Sequence, residues 1–333
     1  MDYYISSHVY HETENSFAQD RFIEQLVMFD SLGFYFERPS LEGRQTFDEN
    51  YLNDIVNRPA NFYTQIKSEL QIKKSIGSQY LLSLMEEKTN TTTGRVQGII
   101  LCPQHLPKFH PSFDDVLLGA LVRYPDSVVV TIGLEKKYQW RRTLTQRWRN
   151  SLAEIYRLGH RDSGSTMGNT QEEVLFIDNV IARIRWLPSL SPSEYLLLLS
   201  MGDVMVDPFP FGGGVTTLES LAVCTPVVTY PSRQTVPELA AGMLRKLALP
   251  SSVSAALIVG SVDEYVESIG LLLAERRRQE TGMMMRVENG NSTDITSVYI
   301  RRELCNCVSR IYEQQDVTDE WGNFIVNAFN SAN

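Results

Sequence analysis

The sequence has no long hydrophobic run. Although 43% of its 333 residues are apolar, no stretch approaches the roughly 20 residues needed to span a bilayer. It has no basic excess either, and a net charge of −9 argues against nucleic acid or an anionic membrane as the main partner. Cysteine is scarce: Cys102, Cys224, Cys305 and Cys307 do not make a disulfide framework in a chain this long. Cys305 and Cys307, one residue apart in a helical pattern, suit neither a bridge nor a metal pair, so no metal site is expected. The start, MDYYISSHVYHETEN, lacks the basic residues and apolar core of a signal peptide. The expected location is therefore the cytosol or nucleus, where the acceptor patterns at Asn90 and Asn291 mean nothing. The absence of GxxxxGKS/T argues against a P-loop ATPase, and that of GxGxxG against the usual dinucleotide fingerprint. No 34-residue repeat occurs.

What is present is an alternation of short β-branched runs with helical patterns. Strands are expected at 98–102, 127–132, 174–177, 203–206, 226–229 and 255–259. Helices are expected at 112–123, 137–158, 193–200, 216–223, 234–247 and 262–274, with an amphipathic helix near 295–315 ending the domain. That order predicts a doubly wound α/β sheet, whose ligands bind beyond the carboxyl ends of its strands. Residues 38–95 are mixed, with helical character at 60–87. GHRDSGSTMGNTQE at 160–173 and VENGNSTD at 287–294 read as surface loops.

The richest segment is GDVMVDPFPFGGGVTTLESLAVCTPVVTYP at 202–231. A strand with an acidic end runs through an aromatic-proline turn and three glycines into a helix start. Helix N-terminal N–H groups are unpaired, the dipole favours negative charge, and glycines let the backbone approach a phosphate closely. Glu219, a turn beyond Thr216, is placed to accept hydrogen bonds from ribose hydroxyls. The segment reads as a nucleotide-diphosphate site, although many such turns hold no ligand. Asp207 and Pro208 shape the turn, and Thr225-Pro226 starts the next strand.

With LPSLSPSEYLLLLSMGDVMVDPFPF upstream and TPVVTYPSRQTVPELAAGMLRKL downstream, this segment resembles the catalytic lobe of the protein O-linked N-acetylglucosamine transferases. ILCPQHLPKFHPSFDDVLLGALVRYPDSVVV at 100–130 is similar to the first strand and helix of the same lobe. MDYYISSHVYHETENSFAQDRFIEQLVMFD looks like the crossover that closes that family's N-terminal lobe. The resemblance implies a GT-B-type, Rossmann-like lobe at 96–333, preceded at 1–95 by a crossover remnant and helical linker. It implies inverting transfer of N-acetylglucosamine or glucose from a UDP-sugar to protein Ser/Thr (or Asn), with no cofactor and no metal. Relatives that use GDP-fucose leave base and sugar open.

Residue by residue, the resemblance makes Lys108 the group that neutralises the leaving diphosphate, joined by Gln104 or His105. The family's glutamine lies three residues before the lysine, the offset that His105 occupies here. Gly213, Gly214, Thr216 and Thr217 form the phosphate loop, and Glu219 takes a ribose role that the family gives to aspartate. Tyr195 stacks on the base where the family has histidine, with the backbone at Leu190 on the uracil edge. Leu198 replaces the family's uracil-facing arginine. The family's essential histidine belongs to the N-terminal lobe. His8 and His11 fall in the crossover, outside that motif, and with His110 they take a plain surface reading. The alternatives are a non-catalytic nucleotide-sugar-binding chain or a fragment of a longer transferase.

Overall fold

The computed structural model describes residues 2–11, 22–39, 49–58, 62–89, 98–133, 138–161, 170–231, 238–273 and 295–332. The expected loop at 287–294, the glycosylation patterns, the 95/96 boundary and the start of the helix expected at 234–247 lie outside them. Two short parallel strands come first, β1 (Tyr3–Ser7) and β2 (Gln25–Phe29), then helices α1 (Glu49–Asn57), α2 (Phe62–Lys73) and α3 (Ile76–Thr89). The α/β part follows as β3 (Gly98–Leu101), α4 (Pro111–Arg123), β4 (Ser127–Ile132), α5 (Tyr138–Arg161), α6 (Thr170–Ile181), β5 (Ile184–Leu187), α7 (Pro192–Met201), β6 (Val204–Val206), α8 (Val215–Ala222) and β7 (Val227–Val228). It continues with α9 (Leu239–Lys246), α10 (Ser251–Leu257), α11 (Val262–Leu273), α12 (Ser297–Cys307) and α13 (Gln315–Ala332). The surface loop expected at 160–173 is shorter than that, because α5 runs to Arg161 and α6 begins at Thr170.

β3, β4, β6 and β7 are runs of aliphatic side chains buried on both faces, as interior parallel strands require. They form one parallel sheet in the order β5-β4-β3-β6-β7. The chain moves outward from β3 through β4 to β5, then returns to place β6 on the other side of β3. The strand order therefore reverses between β3 and β6, which opens a crevice beyond their carboxyl ends.

Two expected strands are helical. VLFI at 174–177 lies within α6, where Ile177 and Val180 face the core and Val174 and Leu175 face outward. The strand next to β4 is instead β5, IRWL, whose Arg185 is an edge residue paired with Glu87 at 2.9 Å. Residues 255–257 of the other expected strand belong to α10. Pro250 O accepts from Val253 N and Ser254 N, both at 2.9 Å, and starts a helix that buries Val253, Ala256 and Leu257 at helical spacing. Only Ile258 bridges the sheet edge, at Thr229.

The cysteine expectation is corrected too. Cys224 and Cys305 are bonded, 81 residues apart in sequence, with Cα atoms 5.2 Å apart. Cys224 occupies a left-handed conformation (φ 54°) between α8 and β7 and links that turn to α12. Cys102 and Cys307 are free and buried.

The chain does not end with α12. Helix α13 runs back to the first strands, where the Glu320 carboxylate accepts from Asp30 N (2.7 Å) and Ser31 N (3.1 Å). Trp321 Nε1 donates to Gly33 O (2.9 Å), and its ring meets Phe29 edge-on.

At the amino ends of β3 and β6, Asp203 and the carbonyls beside it tie together the end of α1, α3 and α12. Asp203, just before β6, pairs with Arg58 (2.5 Å) and Lys88 (3.2 Å) and accepts from Ile99 N (2.8 Å). Arg301 of α12 donates to the Gly202 and Asp203 carbonyls at 2.6 and 2.8 Å. Burial pushes the Lys88 ammonium from 10.5 down to about 7, against the pull of Asp203. An unfolded chain, with this group at its ordinary value, holds more protons between those two values than the folded one. Stability therefore rises with pH across that window. Lys88→Met is expected to flatten that rise, read as unfolding free energies in urea at about pH 7 and about pH 9.

Candidate functional site

Two loops meet over the crevice between β3 and β6. The first leaves β3 through Cys102-Pro103-Gln104-His105 into a 3-10 turn at Leu106–Lys108. Leu106 and Phe109 are buried and anchor it. His110 caps α4 by accepting from Ser112 N at 3.2 Å. Arg147 of α5 holds the loop from outside, donating to Phe109 O (2.7 Å) and through two nitrogens to Asp114 (2.6 and 2.8 Å). Trp148 Nε1 donates to the same carboxylate at 2.8 Å. Lys108 is thus carried on a loop whose base is fixed.

The second loop leaves β6 at the buried Asp207. Phe209 packs edge-on against Phe113 and Tyr230, followed by a cis bond to Pro210. Phe211 is exposed, and Gly212-Gly213-Gly214 lead into α8, which has no side-chain cap. The polypeptide folds around the Asp207 carboxylate, which accepts from Gly213 N (2.5 Å) and from the Thr229 hydroxyl (2.8 Å). A Cβ on Gly212 would lie 2.6 Å from Asp207 Oδ2. Gly212→Ala is therefore expected to cost about 1–3 kcal/mol through overpacking, read as a lowered thermal midpoint.

A chain of hydrogen bonds joins the loops. Lys108 Nζ donates to Gly212 O (2.7 Å) and Gln104 Oε1 (3.2 Å), and Gln104 Nε2 donates to Thr216 Oγ1 (2.7 Å). Thr217 Oγ1 donates to Gly213 O at 3.1 Å. A Cβ on Gly213 would fall 2.6 Å from both Gln104 Nε2 and Thr216 Oγ1, so a side chain there would push apart the hydrogen bond that joins them. The Lys108 ammonium also lies 4.9 Å from the centre of the Phe211 ring, a cation–π distance. Burial lowers the Lys108 ammonium and raises the Asp207 carboxyl to about 6, the latter against Gly213, Thr229 and Lys108.

Gln104, Lys108, Gly213, Thr216 and Thr217 therefore form one connected cluster, and Gly214 stands at the tip of α8. Gln104 reaches Lys108, whereas His105 is exposed. Glu219 lies a turn further along α8, its carboxyl raised by burial, and no residue among those described pairs with it. Beside it, Tyr195 OH is buried without a hydrogen-bond partner, and both burial and the Glu219 charge push that phenol up. Leu190 precedes α7 and packs against α3 at Gly77. Burial would raise Glu194, yet hydrogen bonds from Ser75, Ser191 and Ser78 hold it down to about 2. Phe211, Thr229 and Tyr265 escaped the sequence reading. An exposed phenylalanine beside three glycines was the one available signal, because the hydroxyls of Thr229 and Tyr265 reach Asp207 from distant segments.

By sequence the chain matches no protein-family model and no curated protein. By fold it is similar to an O-GlcNAc transferase of Thermobaculum terrenum, with a TM-score of 0.59 and 14% identity over 100% of this chain and 46% of that one. Slighter likenesses are to a UDP-forming trehalose-phosphate synthase of Burkholderia vietnamiensis (TM-score 0.42, 13% identity, 78% of this chain, 51% of that one). A third is the C-terminal domain of a group 1 glycosyl transferase of Francisella tularensis (0.40, 13%, 69% and 93%). The chain spans about half the length of the first two. Its fold is the α/β, Rossmann-like one of GT-B proteins. Among the described residues no helix is long and apolar enough to cross a membrane, and no cluster of His, Cys, Asp or Glu has metal-binding form.

Proposed function

We propose that this chain binds the nucleoside diphosphate of a sugar nucleotide, UDP first among the candidates, and serves inverting glycosyl transfer to a protein serine or threonine. The reading rests on the meeting of Lys108 with the Gly212–Thr217 loop at the sheet's switch point. A diphosphate placed on the start of α8 would face unpaired N–H groups and a lysine already pointed at the loop. As the glycosidic bond breaks, charge grows on the leaving phosphate, and a preorganised ammonium stabilises it. In this reading no metal takes part. Glu219 would accept from the ribose hydroxyls, while Tyr195 and the backbone at Leu190 flank the base.

The histidines favour keeping a second reading, a nucleotide-sugar-binding chain without transfer activity. His8 lies near Asp30, His11 bonds Ser6, His110 caps α4 and His160 bonds Tyr156 O. These four are engaged in local contacts, and the fifth, His105, is exposed on the loop that carries Lys108. Calorimetric titration with UDP, UDP-N-acetylglucosamine and GDP, without added metal, tests the donor site. Binding of both uridine nucleotides in preference to GDP is expected, and silence from folded protein would overturn the proposal. A transfer assay on protein acceptors then separates the two readings.

A further inference from the structure

We infer that Asp207 is the positioning residue of the phosphate loop, and that its negative charge opposes Lys108 and holds anion affinity down. The inference rests on the donor-site reading above and deepens it. Its two parts separate because the hydrogen bonds and the charge of Asp207 are distinguishable. The carboxylate accepts from Gly213 N at 2.5 Å and from the Thr229 hydroxyl at 2.8 Å. A neutral group of the same shape keeps both contacts: it accepts from Gly213 and donates to the Thr229 oxygen, since a hydroxyl serves either way. Asparagine is one such group, and the protonated aspartic acid is another. An alanine leaves the buried Gly213 N–H without an acceptor, and the loop that wraps the carboxylate loses its template.

The charge acts in the opposite direction to the template. The ionised carboxylate accepts from the loop on which the diphosphate would sit and offsets the Lys108 ammonium that meets the same loop. Neutralising Asp207 while keeping its hydrogen bonds should therefore tighten anion binding. The titratable groups facing Asp207 are Lys108, Cys102 at the end of β3 and Tyr265 of α11. Burial pushes the Cys102 thiol and the Tyr265 phenol up, so both stay neutral around pH 6. With its carboxyl raised to about 6, Asp207 loses its charge as the pH falls through that value.

The test is calorimetric titration with UDP-N-acetylglucosamine, whose diphosphate diester takes up no proton in this range, unlike UDP. At an effective dielectric constant of about 20, a unit charge about 12 Å away changes affinity about tenfold, and a nearer one changes it more. The wild-type protein should bind about tenfold tighter at about pH 5 than at about pH 8. Asp207→Asn should bind at the tight level at both, and Asp207→Ala weakly at both, with thermal unfolding confirming that the asparagine variant is folded. A pH-independent wild type, or an asparagine variant weaker than wild type at about pH 8, overturns the inference. So does a pH dependence that survives in Asp207→Asn, which would place the proton on another group of the site. Absence of binding by folded wild type at either pH removes the donor-site reading as well, and so differs from these failures.

Discussion

Lys108→Ala is expected to weaken UDP binding by about 30- to 150-fold while leaving uridine binding unchanged. A hydrogen bond from a charged donor contributes about 1.5–3 kcal/mol, and each 1.4 kcal/mol corresponds to a factor of about ten in affinity. The upper part of that range applies because the ammonium is held in place before any ligand arrives. Gly212 O and Gln104 fix it, and the turn that carries it is braced by Arg147 and Asp114. Its desolvation is already met in the free protein, as its burial-lowered proton affinity shows. Uridine is the control, because it keeps the base and ribose contacts and lacks the diphosphate. Parallel calorimetric titrations of both ligands make the comparison. An equal loss for uridine would mean that the variant had disturbed the pocket as a whole, and an unchanged UDP affinity would remove Lys108 from the site.

Asp203→Ala is expected to cost about 3–5 kcal/mol of folding stability, the usual result of removing one partner from a buried ion pair. The loss leaves Arg58 and Lys88 facing one another with no counter-charge, and Arg301 close by. It also removes the acceptor for Ile99 N near the start of β3. Burial alone would raise the Asp203 carboxyl, but Lys88, Arg58 and the Ile99 amide hold it below the ordinary carboxylate range. Its contribution is therefore complete above the unfolded value of 3.8 and is lost as the pH falls through the lowered folded value. Urea unfolding at neutral pH gives the magnitude, and a midpoint shift corresponding to less than about 1 kcal/mol would show that water reaches the cluster. Asn at this position keeps the Ile99 contact and should recover part of the loss.

The core of the sheet was legible because β3, β4 and β6 are aliphatic runs buried on both faces, a pattern that needs no partner to be recognised. β5 was hidden by its edge position, where Arg185 interrupts the apolar run. VLFI and AALIV misled for the same physical reason: four or five apolar residues suit a buried strand and a helix face equally well. What decided each was its surroundings, the acidic first turn of α6 and the proline before α10. The Cys224–Cys305 bond left no trace in the spacing, since 81 residues separate the two. The phosphate loop was readable from its glycines, and Asp207 as a residue that shapes its turn. The burial of the Asp207 and Asp203 carboxylates was not, because nothing in the letters separates an interior carboxylate from one that faces solvent. Gln104 and His105 were likewise equivalent until the turn at Leu106–Lys108 placed one inward and the other outward.

Helix α13 gives this protein a particular order of assembly. The corner after β2 depends on Glu320 and Trp321, and Glu320 lies 290 positions beyond Asp30. During synthesis β1 and β2 emerge well before α13, and a two-stranded pair is marginal by itself. Their open edges must wait through the translation of the whole sheet before the helix that covers Phe29 leaves the ribosome. A contact of such long range closes slowly, so these two strands stay exposed to other chains while the sheet is being translated. Ribosome-bound chains halted before Trp321 should need a chaperone that the finished protein does without.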